Sequence, residues 1–219
     1  MFAKQPPNYD AIERKLWRKN AASVPAEIKS KSKRLITRIR LFVSRFGFPR
    51  ADVENKLKID QMFAAWFAKE PRRTGMHELI AAEWIKTLST VSAFRTLPKN
   101  GADSIYVTSD GNIHMGMIKN RPGKSLDFTW KTGEITCYAM HKYTKQGGGN
   151  QDSQFKEMVD LLRHFQSCNE RKCALFVIAD GKYYRGKKIA ELQNHTRSQT
   201  PKSYAIPIEE LPAILKNYK

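Results

Sequence analysis

The chain has few cysteines, few acidic residues and no long apolar run. Its three cysteines are Cys137, Cys168 and Cys173. An odd number in a chain of 219 residues argues against the disulfide framework that small secreted domains use. A zinc site built from His164, Cys168 and Cys173 lacks a clear fourth ligand. The cysteines are therefore expected to be small core or surface residues.

The lack of a long apolar run excludes a membrane-spanning helix, which needs roughly 18 consecutive apolar residues. The polar, proline-containing start of the chain does not fit a secretory signal. Hydrophobic residues make up 41% of the chain and charged residues 27%, a composition that supports a folded core. We therefore expect a soluble, cytoplasmic protein made of one domain, or of a compact domain with a helical extension.

Acidic residues are scarce relative to basic ones. The chain has 21 Asp and Glu against 39 Lys and Arg, a formal net charge of +18 and a pI near 9.9. Such an excess repels itself, and phosphate neutralisation with counterion release relieves that repulsion while it supplies affinity. An anionic membrane surface is less favoured, because the sequence has no basic amphipathic helix with an exposed aromatic face. The charge therefore predicts a nucleic-acid partner.

Residues 1–70 are predicted to form a basic helical region that contacts DNA, forms a dimer interface, or both. Between residues 29 and 50 there are eight Lys and Arg and no acid. Apolar residues in this segment recur at helical spacing, so one stripe can be buried while the arginines stay exposed. The candidate DNA contacts are Arg38, Arg40 and Arg45. A further helix is predicted after Asp52, which can cap it, and should run through Trp66.

After Pro71 the pattern changes to alternating helices and strands, so we place a second domain at residues 71–219. A helix is predicted from Met76 to Leu88, and another from Asp152 to Gln166. The apolar run from Cys173 to Ala179 predicts a strand inside a mixed sheet. Two hairpins are predicted between these elements, with strands Ser104–Thr108 and Ile113–Ile118, then Ser125–Lys131 and Glu134–Tyr143. The predicted fold class is α/β, a mixed β-sheet flanked by helices with an N-terminal helical region.

The second hairpin is predicted to hold an acidic and a basic side chain close together. Strand alternation places Asp127 on one face of the first strand and Lys142 at the end of the second. Pairing of the strands can therefore bring both residues to the same edge. Phosphodiester hydrolysis needs a carboxylate for a hard divalent cation, and a cation or base near the attacking water and the phosphate. Asp127 and Lys142 supply that minimum and are our candidate catalytic residues.

These features resemble the PD-(D/E)xK nuclease superfamily, to which many type II restriction endonucleases belong. The resemblance covers Met76 to Asp180, in the order helix, hairpin strands, helix and strand, with an Asp on one strand and a Lys ending the next. The runs from Lys142 to Asp152 and from Leu175 to Tyr184 also look similar to restriction enzymes. The resemblance implies a restriction-endonuclease-like core and Mg²⁺ as the cofactor. It further implies Asp127 as a metal ligand and Lys142 as the residue that positions or activates the attacking water.

The sequence departs from the family pattern at Met140, where the family has Glu or Asp two residues before the Lys. A thioether cannot replace a carboxylate as a ligand of Mg²⁺. Three explanations are open. In the first, the helix that follows Lys142 supplies the missing carboxylate, from Glu157 or less favourably from Asp152. In the second, the site works with fewer protein ligands and is assisted by Glu78 on the first helix of the domain. In the third, the site is inactive. Glu157 and Glu78 are thus candidate catalytic residues and metal ligands.

The segment after Lys142 contains further candidate DNA contacts. The three glycines at positions 147–149 allow a backbone to approach a phosphate or a groove closely, and glutamine side chains can hydrogen-bond base edges or phosphates. The candidates are Lys145, Gln151 and Gln154. His141 is expected to point away from Lys142 and to be a packed or surface histidine rather than a general base.

Three functions are compatible with this sequence. The first is a sequence-specific endonuclease of double-stranded DNA, a type II restriction enzyme, active as a homodimer that joins through its N-terminal helices and suits a palindromic site. The second is a structure-selective nuclease of junctions or DNA repair. The third is a DNA-binding protein without catalysis, for which Met140 is the main evidence. None of them calls for a membrane or a small-molecule cofactor.

Overall fold

A computed structural model describes residues 5–70, 73–116, 123–145 and 149–218. The chain divides into two compact units. One comprises Asn8–Met76 and the other comprises Met1–Pro7 with His77–Lys219. We describe them separately as the N-terminal and C-terminal units. None of the helices in the described part of the chain combines the length and the apolar character that crossing a membrane requires.

The N-terminal unit is helical. Its buried side chains form one small core, made of Val24, Leu35, Ile39, Val53, Leu57, Ala64, Phe67 and Ala68. Phe42 extends this core, because its ring lies within 6 Å of the rings of four other phenylalanines. The helices are α1 (Tyr9–Lys29), α2 (Lys33–Phe46), α3 (Arg50–Ile59) and α4 (Gln61–Phe67).

The single helix expected after Asp52 is wrong in two respects. α3 begins at Arg50, directly after Pro49, so Asp52 lies in its first turn and does not cap it. The helix also ends at Ile59, because Asp60 adopts an extended backbone conformation. The Asp60 side chain then accepts a hydrogen bond from the Phe63 amide at 3.0 Å and caps the separate helix α4.

The C-terminal unit is built on a five-stranded mixed sheet flanked by helices, so the predicted α/β fold class is confirmed. The strand order is β1-β5-β6-β7-β8. β1 pairs antiparallel with β5 and β5 with β6, whereas β6, β7 and β8 are parallel. The strands are β1 (Ser92–Thr96), β5 (Phe128–Thr132), β6 (Ile135–Tyr143), β7 (Cys173–Asp180) and β8 (Lys202–Ile206).

Helices of the C-terminal unit connect and cover this sheet. The crossover from β6 to β7 runs through α6, whose Phe155, Met158, Leu162 and Phe165 are buried as the amphipathic pattern predicted. Every residue of β7 is buried, which explains its continuous apolar sequence. The helices are α5 (Arg73–Ile85, which belongs to this unit from His77 onward), α6 (Gly149–Phe165), α7 (Lys187–Gln193) and α8 (Leu211–Leu215).

The first predicted hairpin belongs to a separate sheet. Its strands β2 (Ile105–Thr108) and β3 (Ile113–Met115) form a three-stranded sheet with β4 (Gly123–Ser125), in the order β3-β2-β4. The strand expected at Ser125–Lys131 is therefore split between β4 in this sheet and β5 in the larger one. Part of the strand expected at Ile113–Ile118 lies outside the described residues. β1 was not predicted; most of its residues are exposed, so it lacks the alternation that marks a half-buried strand.

Candidate active site

Asp127 lies where the chain passes from one sheet to the other. The preceding amide, of Leu126, donates to the Ile105 carbonyl of the three-stranded sheet, whereas the Asp127 amide donates to the Ala139 carbonyl of β6. The Asp127 carbonyl accepts a hydrogen bond from the Leu97 amide. These contacts on both sides fix the backbone of Asp127 beside the last third of β6.

The Asp127 carboxylate is buried and is affected by the charge of another acid. Its Oδ2 accepts a hydrogen bond from the backbone N–H of His141 at 2.8 Å. Burial raises the pKa of Asp127, and the negative charge of Glu78 raises it further. The His141 hydrogen bond and the charge of Lys142 act in the opposite direction without cancelling the shift. Asp127 is thus a desolvated carboxylate whose charged form is further disfavoured by a second acid, a setting in which positive charge is favourable.

Lys142 contacts one carboxylate, and the charges of two others act on it. Its Nζ lies 3.0 Å from Oε2 of Glu157 on α6. Burial lowers the pKa of Lys142, but the charges of Glu157, Asp127 and Glu78 outweigh burial, and the pKa is raised overall. Lys142 is therefore a protonated cation at neutral pH, and its ammonium group donates hydrogen bonds but cannot take up a proton.

Glu78 comes to the cluster on α5. The ring of the preceding residue, His77, stacks on Tyr143, with the ring centroids 4.0 Å apart. Because Tyr143 follows Lys142, this stacking ties the start of α5 to the end of β6. Glu78 also lies 3.7 Å from the ammonium group of Lys99.

In the structure Glu157 contacts Lys142, and the charges of Asp127, Lys142 and Glu78 influence one another. Their catalytic and metal-binding roles stay predictions. Met140, in contrast, is buried in the hydrophobic core under α6. The position at which the family pattern has an acid therefore offers packing and no metal ligand.

The donor set suits a hard divalent cation. Mg²⁺ is usually bound through one or two carboxylates, with waters and substrate phosphates completing its shell. Asp127 and Glu78 repel each other electrostatically, and a divalent cation bound near them would relieve that repulsion. Within the described residues there is no group of three or more His, Cys, Asp or Glu that could hold a metal ion. The candidate metal ligands are accordingly two carboxylates, those of Asp127 and Glu78.

An open polar cleft of 490 Å³ adjoins the cluster along α6. Lys124 on one side of it forms an ion pair of 3.4 Å with Asp160. Gln154, one turn before Glu157, has its Oε1 3.3 Å from the hydroxyls of both Thr144 and Tyr184. The cleft is lined by Lys124, Ser153, Gln154, Lys156, Glu157 and Asp160.

The remaining predicted DNA contacts occupy different settings. Lys145 is exposed just beyond β6, and Gln151 is half-buried in the first turn of α6. Of the glycine run, Gly147 and Gly148 lie outside the described residues. In the N-terminal unit, Arg40 and Arg45 are exposed on α2. Arg38 instead donates to the carbonyls of Ala68 and Trp66, at 2.7 and 2.9 Å, and holds the end of α4.

Two polar residues near the cluster were not singled out from the sequence. Asp180 is fully buried and lies 3.1 Å from the ring Nε2 of His141. Tyr184 is also buried; burial raises its pKa, partly offset by the Thr144 hydrogen bond and the charge of Lys142. The sequence does contain a signal for Asp180, because it is a lone acid that ends a strand of seven apolar residues. His141 points away from Lys142 into the protein, as predicted for a packed histidine.

Comparison with known proteins does not place the chain in a family. No family model matches the chain, and no curated protein matches it. Among solved structures it is similar to protein VC1899 from Vibrio cholerae, with 10% sequence identity and a TM-score of 0.36. The match covers 95% of this chain and 53% of that one, so the chain spans about half the length of that structure. A likeness this weak carries no argument about function.

Proposed function

We propose that this chain is a divalent-cation-dependent DNA endonuclease of the PD-(D/E)xK type. One observation carries the proposal: one β-hairpin holds the buried carboxylate of Asp127, bound by the His141 amide at 2.8 Å, and the protonated Lys142, 3.0 Å from Glu157. The charge of Glu78 on α5 acts on both Asp127 and Lys142. These are the groups that phosphodiester hydrolysis requires, and the net charge of +18 supports a polyanionic substrate. The resemblance of the sequence to restriction enzymes supports double-stranded DNA as that substrate.

Asp127 and Glu78 are the residues that would hold the Mg²⁺ ion. A bound Mg²⁺ would offset negative charge on the phosphate and increase the acidity of a water molecule. Glu157 has a different role in this proposal, because its carboxylate contacts the ammonium group of Lys142. It holds Lys142 in place. Glu157 as a metal ligand stays a prediction.

Lys142 donates hydrogen bonds in the reaction. Its raised pKa keeps it protonated, so it orients the attacking water or a phosphate oxygen and stabilises the charge that develops there. The water oxygen forms a bond to phosphorus and releases a proton to solvent, while the bond from phosphorus to the 3′-oxygen breaks and that oxygen takes up a proton from solvent. The products are a 5′-phosphate and a 3′-hydroxyl, as the family resemblance implies.

Incubation of the full chain with plasmid DNA and Mg²⁺ tests this function. Discrete fragments are expected for a sequence-specific enzyme, and Lys142→Ala should reduce the cleavage rate by at least about 100-fold, as the loss of charge stabilisation at a reacting centre typically does. Lys131→Ala is a matched control, because Lys131 is exposed on β5. Cleavage of branched DNA alone would indicate a structure-selective nuclease.

A second candidate function follows from Met140. Its burial in the core leaves the family's acidic position without a ligand, which favours a DNA-binding protein that does not cut. Intact plasmid in the presence of Mg²⁺, with a mobility shift of the same DNA, would support this candidate and overturn the nuclease proposal. The homodimer and the palindromic site are further proposals, and the oligomeric state in solution with and without DNA checks them.

A further inference from the structure

A histidine–carboxylate pair is buried behind the candidate active site. The His141 side chain is 1% exposed and that of Asp180 is 2% exposed. The ring Nε2 of His141 lies 3.1 Å from Oδ2 of Asp180, and Oδ1 of Asp180 accepts a hydrogen bond from the Ile208 amide at 2.9 Å. Burying such groups is costly unless they are paired, so a fully buried pair requires a structural or functional explanation.

The pair reaches the candidate metal ligand through one residue. The backbone N–H of His141 donates to the Asp127 carboxylate, while the ring of the same residue contacts Asp180. The next residue along the chain is Lys142. His141 therefore binds Asp127 directly and is the sequence neighbour of Lys142.

Asp180 also fixes the end of β6 through its backbone. Its carbonyl accepts a hydrogen bond from the Thr144 amide at 2.9 Å. In the parallel pairing of β6 with β7, His141 lies opposite Ile178 and Tyr143 opposite Asp180. The last residues of β6 are thus held by β7 through the backbone and through the His141 ring.

We propose that His141 and Asp180 are positioning residues that orient the Asp127 carboxylate toward a divalent cation and keep Lys142 beside it. The contact between ring and carboxylate adds a side-chain anchor to the pairing of β6 with β7, and so helps to hold the His141 N–H that binds Asp127. This inference rests on the proposed nuclease function. Groups that orient metal ligands typically change metal affinity or activity by 10- to 100-fold when they are lost.

Asp180→Asn tests the proposal with little change of shape. Asparagine keeps an oxygen for the Ile208 amide but presents an NH₂ donor to the ring of His141. The affinity of the full chain for Mg²⁺, measured by titration calorimetry, should fall about 10- to 100-fold, and the cleavage rate should fall with it. The KM for DNA should stay near that of the wild type, because this pair does not touch the cleft.

Thr129→Val is the matched control. Thr129 is buried on β5, and its hydroxyl donates to the Cys137 carbonyl at 3.0 Å. The variant loses a buried hydrogen bond between β5 and β6 without touching Asp127. It should lower the melting temperature about as much as Asp180→Asn does, with cation affinity unchanged. An equal loss of cation affinity in both variants would indicate general destabilisation and overturn the proposal.

His141→Gln and His141→Leu give an independent test. The amide nitrogen of glutamine can take the place of the ring Nε2 and donate to Asp180, whereas leucine cannot donate. Cation affinity should be largely retained in His141→Gln and lost in His141→Leu. Equal affinities in these two variants would overturn the positioning role. If the wild type neither binds Mg²⁺ nor cuts DNA, the proposed function fails. If the wild type binds Mg²⁺ and cuts DNA, and Asp180→Asn does both equally well, only the positioning role is refuted.

Discussion

Glu78 and Glu157 differ in their surroundings, and in the proposed function this difference gives them separate roles. The charge of Glu78 acts on Asp127, whereas Glu157 lies 3.0 Å from the ammonium group of Lys142. Glu78→Gln should therefore weaken Mg²⁺ binding by at least about tenfold. Glu157→Gln should leave Mg²⁺ binding intact and slow cleavage, because Lys142 loses its partner. Titration calorimetry and cleavage rates separate the two roles, and the opposite pattern would restore Glu157 as the missing metal ligand.

The environment of Asp127 predicts a conflict between stability and activity. Its pKa is raised in the folded protein by burial and by Glu78, so the folded state prefers the protonated form. The resulting stabilisation is present at low pH and is lost as the pH rises through the folded-state pKa, because the charged form must then be buried.

Asp127→Asn should consequently stabilise the protein at neutral pH while it abolishes cleavage. Asparagine has a similar shape, keeps an oxygen for the His141 N–H and carries no charge. The gain in melting temperature should be larger at pH 7 than at pH 4, where the native carboxyl is itself increasingly protonated. Thermal unfolding of the variant and the wild type at pH 7 and pH 4, without divalent cations, measures this gain. If the variant melts at pH 7 at the same temperature as the wild type or below it, the predicted cost of burying the Asp127 charge is contradicted.

Among the elements, those with strong periodicity could be predicted from the sequence. α6 and β7 were predicted within three residues at each end, because one has a clear amphipathic stripe and the other a continuous apolar run. The hairpin β5–β6 was also predicted, and with it the approach of Asp127 to Lys142. Its turn includes Gly133, whose φ of +55° suits glycine.

The elements that were missed depend on tertiary contacts. At Leu126 and Asp127 the chain leaves the three-stranded sheet and enters the five-stranded one. The local sequence does not indicate this change, because both residues continue the alternating pattern of a single strand. The separate three-stranded sheet was missed for the same reason. Likewise, the sequence separation between Lys142 and Glu157 indicated that Glu157 could lie near the site, but not that it contacts Lys142. The pairing of His141 with Asp180 could not be predicted, because it depends on the parallel register of β6 and β7.

The loop after β7 packs tightly against the loop after β6, and this contact can be tested at one glycine. Gly181 has a φ of +96°, and a Cβ at this position would collide with the carbonyl oxygen of Thr144. Gly181→Ala should therefore displace the backbone two residues beyond Lys142. Gly186→Ala is the matched control, since Gly186 has a φ of +60° but open space around it.

We expect both alanine variants to lose about 1 kcal/mol from the unfavourable backbone conformation, and Gly181→Ala to lose more because of the collision. Gly181→Ala alone should also slow cleavage. Urea denaturation and cleavage rates measure the two effects. Equal losses of stability, with activity unaffected in both variants, would show that the loop can yield without moving the end of β6.

At the scale of the whole molecule, positive charge is concentrated in the N-terminal unit. Residues 8–76 contain 17 Lys and Arg against 7 Asp and Glu, a net charge of +10 out of the +18 of the full chain. Part of this charge is committed to structure. Arg34 pairs with Glu27 at 2.7 Å and donates to the Phe67 carbonyl, and Arg38 donates to two carbonyls at the end of α4. Arg40 and Arg45 on the same helix are exposed, as the proposed contact with a polyanion requires.

Arginines that lie close together on α2 should therefore respond differently to substitution. The double variant Arg40→Gln/Arg45→Gln removes two exposed charges, so it should weaken DNA binding and reduce the slope of log affinity against log salt by about 2, with little change in stability. Arg38→Gln should instead destabilise the N-terminal unit by about 1–3 kcal/mol, because two carbonyls lose a charged donor. Fluorescence anisotropy with labelled duplex DNA at several salt concentrations, together with urea denaturation, measures both effects. An unchanged salt slope in the double variant would remove α2 from the DNA-binding surface and leave the cleft along α6 as the candidate site of phosphate contact.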